Sequence, residues 1–152
     1  MNLTLSALKA FGADVEFVGE YRIEIRKSKM HACAGRIEGD YSNAAFLDAF
    51  NHIGSHVQVG NLKADSLQGD RVYRDYFRLI SEGTPTLDIS DCPDLGPILF
   101  AVAAVKGGGV FTGTKRLKIK ESDRGEVMKA ELSKFGAVIE TKENETYILN
   151  LK

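Results

Sequence analysis

The feature that most limits what this chain can become is a repeat. Gly54, Val57, Gly60, Asp70, Arg71 and Gly83 return as Gly107, Val110, Gly113, Asp123, Arg124 and Gly136, each 53 positions later. Asp40 and Asp94 match at 54, which needs one single-residue insertion. Phe11-Gly12-Ala13 likewise has its counterpart in Phe135-Gly136-Ala137. Glycines after helices recur by chance, but an Asp-Arg pair at the same offset does not. A fixed period of this length marks a supersecondary unit used more than once. The chain reads as the tail of one unit, a short second unit and a full third. Each unit alternates strand, helix, strand, helix and then a hairpin, which makes the fold α/β with helices packed on sheets.

Hydrophobic spacing supplies the elements. Leu3, Leu5, Ala7, Leu8 and Phe11 follow a helical period that stops at Gly12. Val15-Glu16-Phe17 and Tyr21 to Arg26 alternate, as a hairpin turning near Gly19 does. Lys27 to Gly35 is a connection, and Arg36 to Asp40 reads as a short strand. A helix over Tyr41 to Ile53 stops at Gly54, and His56 to Val59 is a second strand. A helix opening at Gln68-Gly69-Asp70-Arg71 runs to Glu82, and Thr86 to Ile89 is a strand. Pro93 to Lys106 is the most apolar helix, closed by Gly107-Gly108-Gly109. After a strand over Val110 to Thr112 comes a helix over Asp123 to Phe135. A hairpin of Ala137 to Glu140 with Tyr147 to Leu151 closes the chain.

Two helix mouths carry polar groups that suggest chemistry. In Asp91-Cys92-Pro93-Asp94, Pro93 suits the first helical position, with Asp91 or Cys92 as cap. Asp94 then lies in the first turn, where the helix dipole favours a carboxylate. In Lys120-Glu121-Ser122-Asp123-Arg124, Ser122 can cap the next helix. Lys120, Glu121 and Arg124 cluster at its mouth. Cations beside free backbone N–H groups make an anion site, and a neighbouring carboxylate can move protons. The plainer alternative is caps and a solvated charged face. Asp40, Asp70 and Arg71 are read that way, as helix-mouth charges serving as caps, and Asp123 as a cap or an orienting partner.

Composition excludes several classes. A net charge of −1, from 20 basic and 21 acidic residues, argues against a general nucleic-acid binder. The local basic run Lys115 to Lys120 suits a small anion better than a polymer. The two cysteines, Cys33 and Cys92, lack zinc spacing and suit a reducing cytosol. His31, His52 and His56 complete no ligand set. No stretch approaches the roughly 20 apolar residues that cross a bilayer, and the N-terminus has no apolar signal core.

The Lys120-to-Arg124 run, the amphipathic helix ending Lys134-Phe135-Gly136-Ala137, and Pro93-Asp94 opening an apolar helix together resemble the enolpyruvyl transferase family. They are most similar to its branch acting on shikimate 3-phosphate. The resemblance covers essentially the whole chain, and the stretch Gly35 to Phe46 resembles the family's crossing between domains. It implies repeated βαβαββ units, part of an inside-out α/β barrel, with six units in two domains. Residues 1–34 then form the closing helix and hairpin of a second-domain unit plus the crossover. Residues 35–152 form two first-domain units, shortened over 35–89 and complete over 90–152.

The resemblance also implies an activity. The enolpyruvyl group of phosphoenolpyruvate moves to the 5-hydroxyl of shikimate 3-phosphate and phosphate leaves, a step toward aromatic amino acids. It places Asp94 at the hydroxyl as acceptor and base, Lys120 and Arg124 on phosphoenolpyruvate, and Glu121 as proton donor to the methylene. It implies no metal or cofactor, no nucleic acid and no membrane, and a cytoplasmic setting. The chain lacks the family's N-terminal phosphoenolpyruvate loop, the second-domain serines and glutamine, the later His-Arg segment and the C-terminal Lys. It is therefore expected to be a fragment that is inactive alone and self-associates through faces its missing units would cover. The rival reading is a non-catalytic anion-binding or assembly module on the same scaffold.

Overall fold

The computed structural model describes residues 1–119 and 122–149. Its internal packing divides them into two bodies: Met1–Glu38 with Lys63–Gln68, and Gly39–Leu62 with the residues from Gly69 onward.

In the first body, helix α1 (Asn2–Ala10) runs into Gly12, whose φ of +86° reverses the chain. Glycine is required twice over at that turn. Its φ is left-handed, and a Cβ would stand 2.6 Å from the His31 ring. Strands β1 (Asp14–Phe17) and β2 (Ile23–Arg26) pair antiparallel, with Val15 opposite Ile25. The helix and hairpin expected from spacing are therefore present. The Arg26 guanidinium sits among Asp14, Glu16 and Glu24 at the surface. Exposed pairs of this kind add little stability.

The second body begins with α2 (Tyr41–His52), capped by Asp40, whose carboxylate accepts from the Ser42 N–H at 2.8 Å. A 3₁₀ turn over Gly69–Val72 leads into α3 (Tyr73–Glu82). Then come β3 (Thr86–Asp88), a 3₁₀ turn over Pro93–Leu95, α4 (Gly96–Lys106) and β4 (Gly109–Thr112). A 3₁₀ turn over Thr114–Ile119 precedes α5 (Arg124–Ser133), β5 (Val138–Thr141) and β6 (Glu145–Leu149). The sheet order is β3-β4-β6-β5, with β3 and β4 parallel and the other neighbours antiparallel. The run from β3 to β6 is thus one βαβαββ unit, and the fold is α/β as expected.

One face of this sheet buries Leu87, Phe111, Ile139 and Ile148 under the helices. Phe100 of α4 packs on Phe111 with ring centroids 4.9 Å apart. Tyr41, Ala45, Tyr73, Phe77, Ile80 and Leu99 continue the same core, all at most 2% exposed. Each fully buried side chain of this size adds about 1.5–3 kcal/mol of transfer free energy. The helices and sheet therefore hold one another in place, and with them the turns that precede α4 and α5.

Two expected strands are absent. Neither Arg36 to Asp40 nor His56 to Val59 forms a ladder. A strand needs a neighbour, and three residues between α3 and β3 leave no room for the hairpin that β5 and β6 supply in the complete unit. The backbone of Val57 is satisfied by a side chain instead. Its N–H donates to Asn51 Oδ1 at 2.6 Å and its carbonyl accepts from Asn51 Nδ2 at 2.9 Å.

Helix starts also differ from expectation. Tight 3₁₀ turns replace the first turns expected at Gln68 and Pro93, and α5 begins at Arg124. Its cap is Asp123, not Ser122: the Asp123 carboxylate accepts from the Glu126 N–H at 3.1 Å. The expected end of the last hairpin at Leu151 lies outside the described residues.

Candidate active site

Two helix mouths meet in the second body. Pro93 stands first after Cys92 and delivers Asp94 in the turn ahead of α4. Arg124 is the first residue of α5 and donates to Asp94 Oδ1 at 2.7 Å. Thirty positions apart in sequence, these side chains form a charge-assisted hydrogen bond. The Asp94 side chain is 46% exposed and that of Arg124 26%, so solvent reaches the pair.

The segment leading to Asp94 is held from several sides. The Asp88 carboxylate accepts from the Ser90 N–H at 2.9 Å and from its hydroxyl at 2.6 Å. These two donors stabilise the charged form and hold the Asp88 carboxyl below the usual carboxylate range. The Tyr76 hydroxyl donates to the Asp88 carbonyl at 2.7 Å. Arg116 donates to the Ser90 carbonyl at 2.7 Å. Next along is Cys92, buried at 3% exposure. Burial pushes its thiol up to about 12, and Asp70, Asp91 and Asp88 push the same way.

Of the residues singled out by sequence, Asp94 and Arg124 are brought together. Lys120 and Glu121 lie outside the described residues. The basic run beside them is not one uniform face. Lys115 pairs with Glu143 at 3.4 Å, Arg116 turns back to Ser90, and Lys118 is exposed on its 3₁₀ turn. In the repeat's other copy, Asp70 and Arg71 lie in the 3₁₀ turn ahead of α3. The cap position of α3 itself falls on Val72, one residue past Arg71.

Sequence reasoning missed Asp88, Ser90, Tyr76 and Arg116. Only the Lys/Arg run hinted at Arg116, and that hint pointed to a small anion, not to a backbone carbonyl of the same chain. Among the described residues, no group of three or more His, Cys, Asp or Glu is placed to hold a metal ion. His52 instead meets the Phe77 ring edge-on, with centroids 4.8 Å apart. Among those residues, too, no helix is long and apolar enough to cross a membrane.

Comparison with known proteins adds a family. The family model for EPSP synthase (3-phosphoshikimate 1-carboxyvinyltransferase) matches residues 1–150. The chain is 37% identical to the 3-phosphoshikimate 1-carboxyvinyltransferase of Clostridium novyi (strain NT), over 95% of its own length and 37% of that protein's. It is 34% identical to the enzyme of the same name from Clostridioides difficile (strain 630), over 97% of this chain and 38% of that one. With the Clostridium beijerinckii protein the identity is 33%, over 100% of this chain and 39% of the relative. The chain thus spans under two-fifths of the length of these relatives. That last alignment runs over 171 positions although the chain has 152 residues, so the relative carries segments with no counterpart here.

Proposed function

We propose, since this chain belongs to the EPSP synthase family, that it carries part of the catalytic set of a 3-phosphoshikimate 1-carboxyvinyltransferase. The substrates are phosphoenolpyruvate and shikimate 3-phosphate. The observation that carries the reading is the 2.7 Å bond between Arg124 and Asp94, because it joins the two helix mouths the chemistry needs.

In this mechanism Asp94 accepts the proton of the 5-hydroxyl as its oxygen bonds to C2 of phosphoenolpyruvate. Glu121 delivers a proton to C3. In the second step a proton leaves C3, the C2–O bond to phosphate breaks, and the enolpyruvyl ether remains. Arg124 grips the planar carboxylate of phosphoenolpyruvate, and Lys120 offsets the charge on its phosphate. Residues 35–152 supply two first-domain units, the first of them shortened, and residues 1–34 the close of a second-domain unit. The setting is cytoplasmic.

By itself the 152-residue chain does not turn over, because positioning supplies much of such a rate and the relatives hold their substrates with far more protein. With both substrates present, no steady phosphate release is expected. Steady release abolished by Glu121→Ala overturns that expectation. Phosphoenolpyruvate alone should still bind weakly, with binding lost in Arg124→Ala and kept in Glu121→Gln. Its methylene hydrogens should exchange with deuterated solvent in a pH-dependent way, and Glu121→Gln should stop the exchange. Exchange fits only the transferase reading; binding with no exchange at any pH favours the anion-binding module on the same scaffold.

The chain also self-associates in this proposal, through a groove of about 250 Å³ between α2 and α4. Phe46 and Phe50 of α2 with Ile53 at its C-terminal cap, and Ile98, Val102 and Val105 of α4, line it. Spaced four and three or four apart, each set forms a ridge beside the groove. One face therefore offers both halves of a two-fold contact with a second copy.

A further inference from the structure

We propose that Arg116 is a positioning residue for Asp94, an inference that rests on the site reading above. Its guanidinium donates to the Ser90 carbonyl at 2.7 Å. The next residue, Leu117, is 1% exposed and lies against Gly96 on the far side of the same segment. A Cβ at Gly96 would come within 3.1 and 3.3 Å of the two Leu117 methyls. Arg116 and Leu117 thus grip Ser90 to Gly96 from both ends, with Asp94 between.

The rest of the loop is built to receive that grip. Asp88 fixes the Ser90 N–H and hydroxyl, and Tyr76 fixes Asp88 from behind. Gly113 leaves the space that the Ser90 hydroxyl fills. A Cβ there would stand 2.1 Å from Ser90 Oγ, and the φ of Gly113 is +74°. Every polar group of Ser90 therefore has a partner on a different element: β3, through Asp88, for the N–H and hydroxyl, and the Thr114–Ile119 turn for the carbonyl.

Arg116 is exposed, and the carbonyl it holds can turn to water when it is lost. The consequence falls on where Asp94 sits relative to Arg124. Arg116 ties the turn that leads toward Lys120 and Glu121 to the turn that carries Asp94. One side chain thereby registers the two helix mouths against each other.

Nuclear magnetic resonance of the full 152-residue chain at pH 7 tests this, reading the Asp94 carboxyl carbon and the Arg124 guanidinium signals. In Arg116→Ala both should move toward the values of unpaired groups. Rotation of the Arg124 guanidinium should quicken severalfold, while the methyls of Leu99 and Ile89 keep their shifts. Arg116→Lys, which keeps a donor, should restore part of the effect. Pair signals unchanged in a folded Ala variant overturn the proposal. Should that variant not fold, Arg116→Met keeps the aliphatic stem without the donor and is read the same way. Phosphoenolpyruvate titrated into the same samples separates the two levels. An Arg116-dependent pair with no response to phosphoenolpyruvate overturns the functional reading alone, and a response with an Arg116-independent pair overturns the positioning role alone.

Discussion

Cys92 lies between Asp91 and Pro93 with almost no exposure, and its thiol is held protonated up to about 12. In the unfolded chain the same thiol ionises near its ordinary 9.0. Tyr73 and Tyr76 are raised above their ordinary 10.0, mainly by burial. All three are groups whose folded value exceeds the unfolded one. Their contribution is whole below about pH 9 and is lost as the pH climbs toward the folded values. Urea melts between pH 7 and 11 should show stability level at first and falling above pH 9, with the early part of the fall reduced in Cys92→Ala. A flat profile to pH 11 contradicts this. Alkylation reads the same environment kinetically, since only a thiolate reacts. At pH 8 iodoacetamide should label the exposed Cys33 and reach Cys92 only in denaturant.

Among the elements, capping and close approach set the local costs. Asp123→Ala removes the side-chain cap of α5 and should lower stability by about 1 kcal/mol, or roughly 2–4 °C in Tm. Ser122→Ala should change Tm far less, because Ser122 does not occupy the cap position. Gly108 has φ +101°, and a Cβ there would lie 2.4 Å from the Ile148 carbonyl oxygen. Gly108→Ala should therefore cost more than the cap, and thermal melts of the three variants give the ranking. The helices could be read in the sequence because apolar spacing and terminal glycines act locally. The 3₁₀ turns before α3 and α4 could not, since pitch in a first turn is decided by packing. The strands read at Arg36 to Asp40 and His56 to Val59 failed because strand formation depends on a partner elsewhere in the chain. At the site, Asp94 and Arg124 were charged residues at helix mouths like several caps, and the family resemblance of Pro93-Asp94 and the Lys120-to-Arg124 run set them apart. Arg116 did not stand out, since donating to a distant carbonyl leaves no mark on the pattern of charges.

For the whole molecule, the proposed self-association rests on the apolar face on α2 and α4. Phe46, Leu47, Phe50, Ile53 and Val105 are each 45–57% exposed. At 150–250 Å² for an aromatic, five half-exposed side chains offer on the order of 500 Å² per copy, the low end for a specific pair. Association should be concentration-dependent. Sedimentation should show monomer at low micromolar and a growing dimer fraction toward millimolar, and Phe50→Glu should hold the chain monomeric throughout. A monomer at every concentration removes the proposed contact. The core face of α2 matters earlier in the life of the molecule. Tyr41 and Ile148 belong to one core, so that core cannot close until about a hundred further residues have been made. At roughly 5–20 residues per second, α2 waits on the order of ten seconds outside the ribosome with its core face of Tyr41, Ala44, Ala45 and Ala49 uncovered. Synthesis delivers α2 and α3 before any strand of the sheet they pack on, and its last two strands only at the end. A nascent chain of this design should bind a holding chaperone until β6 is complete.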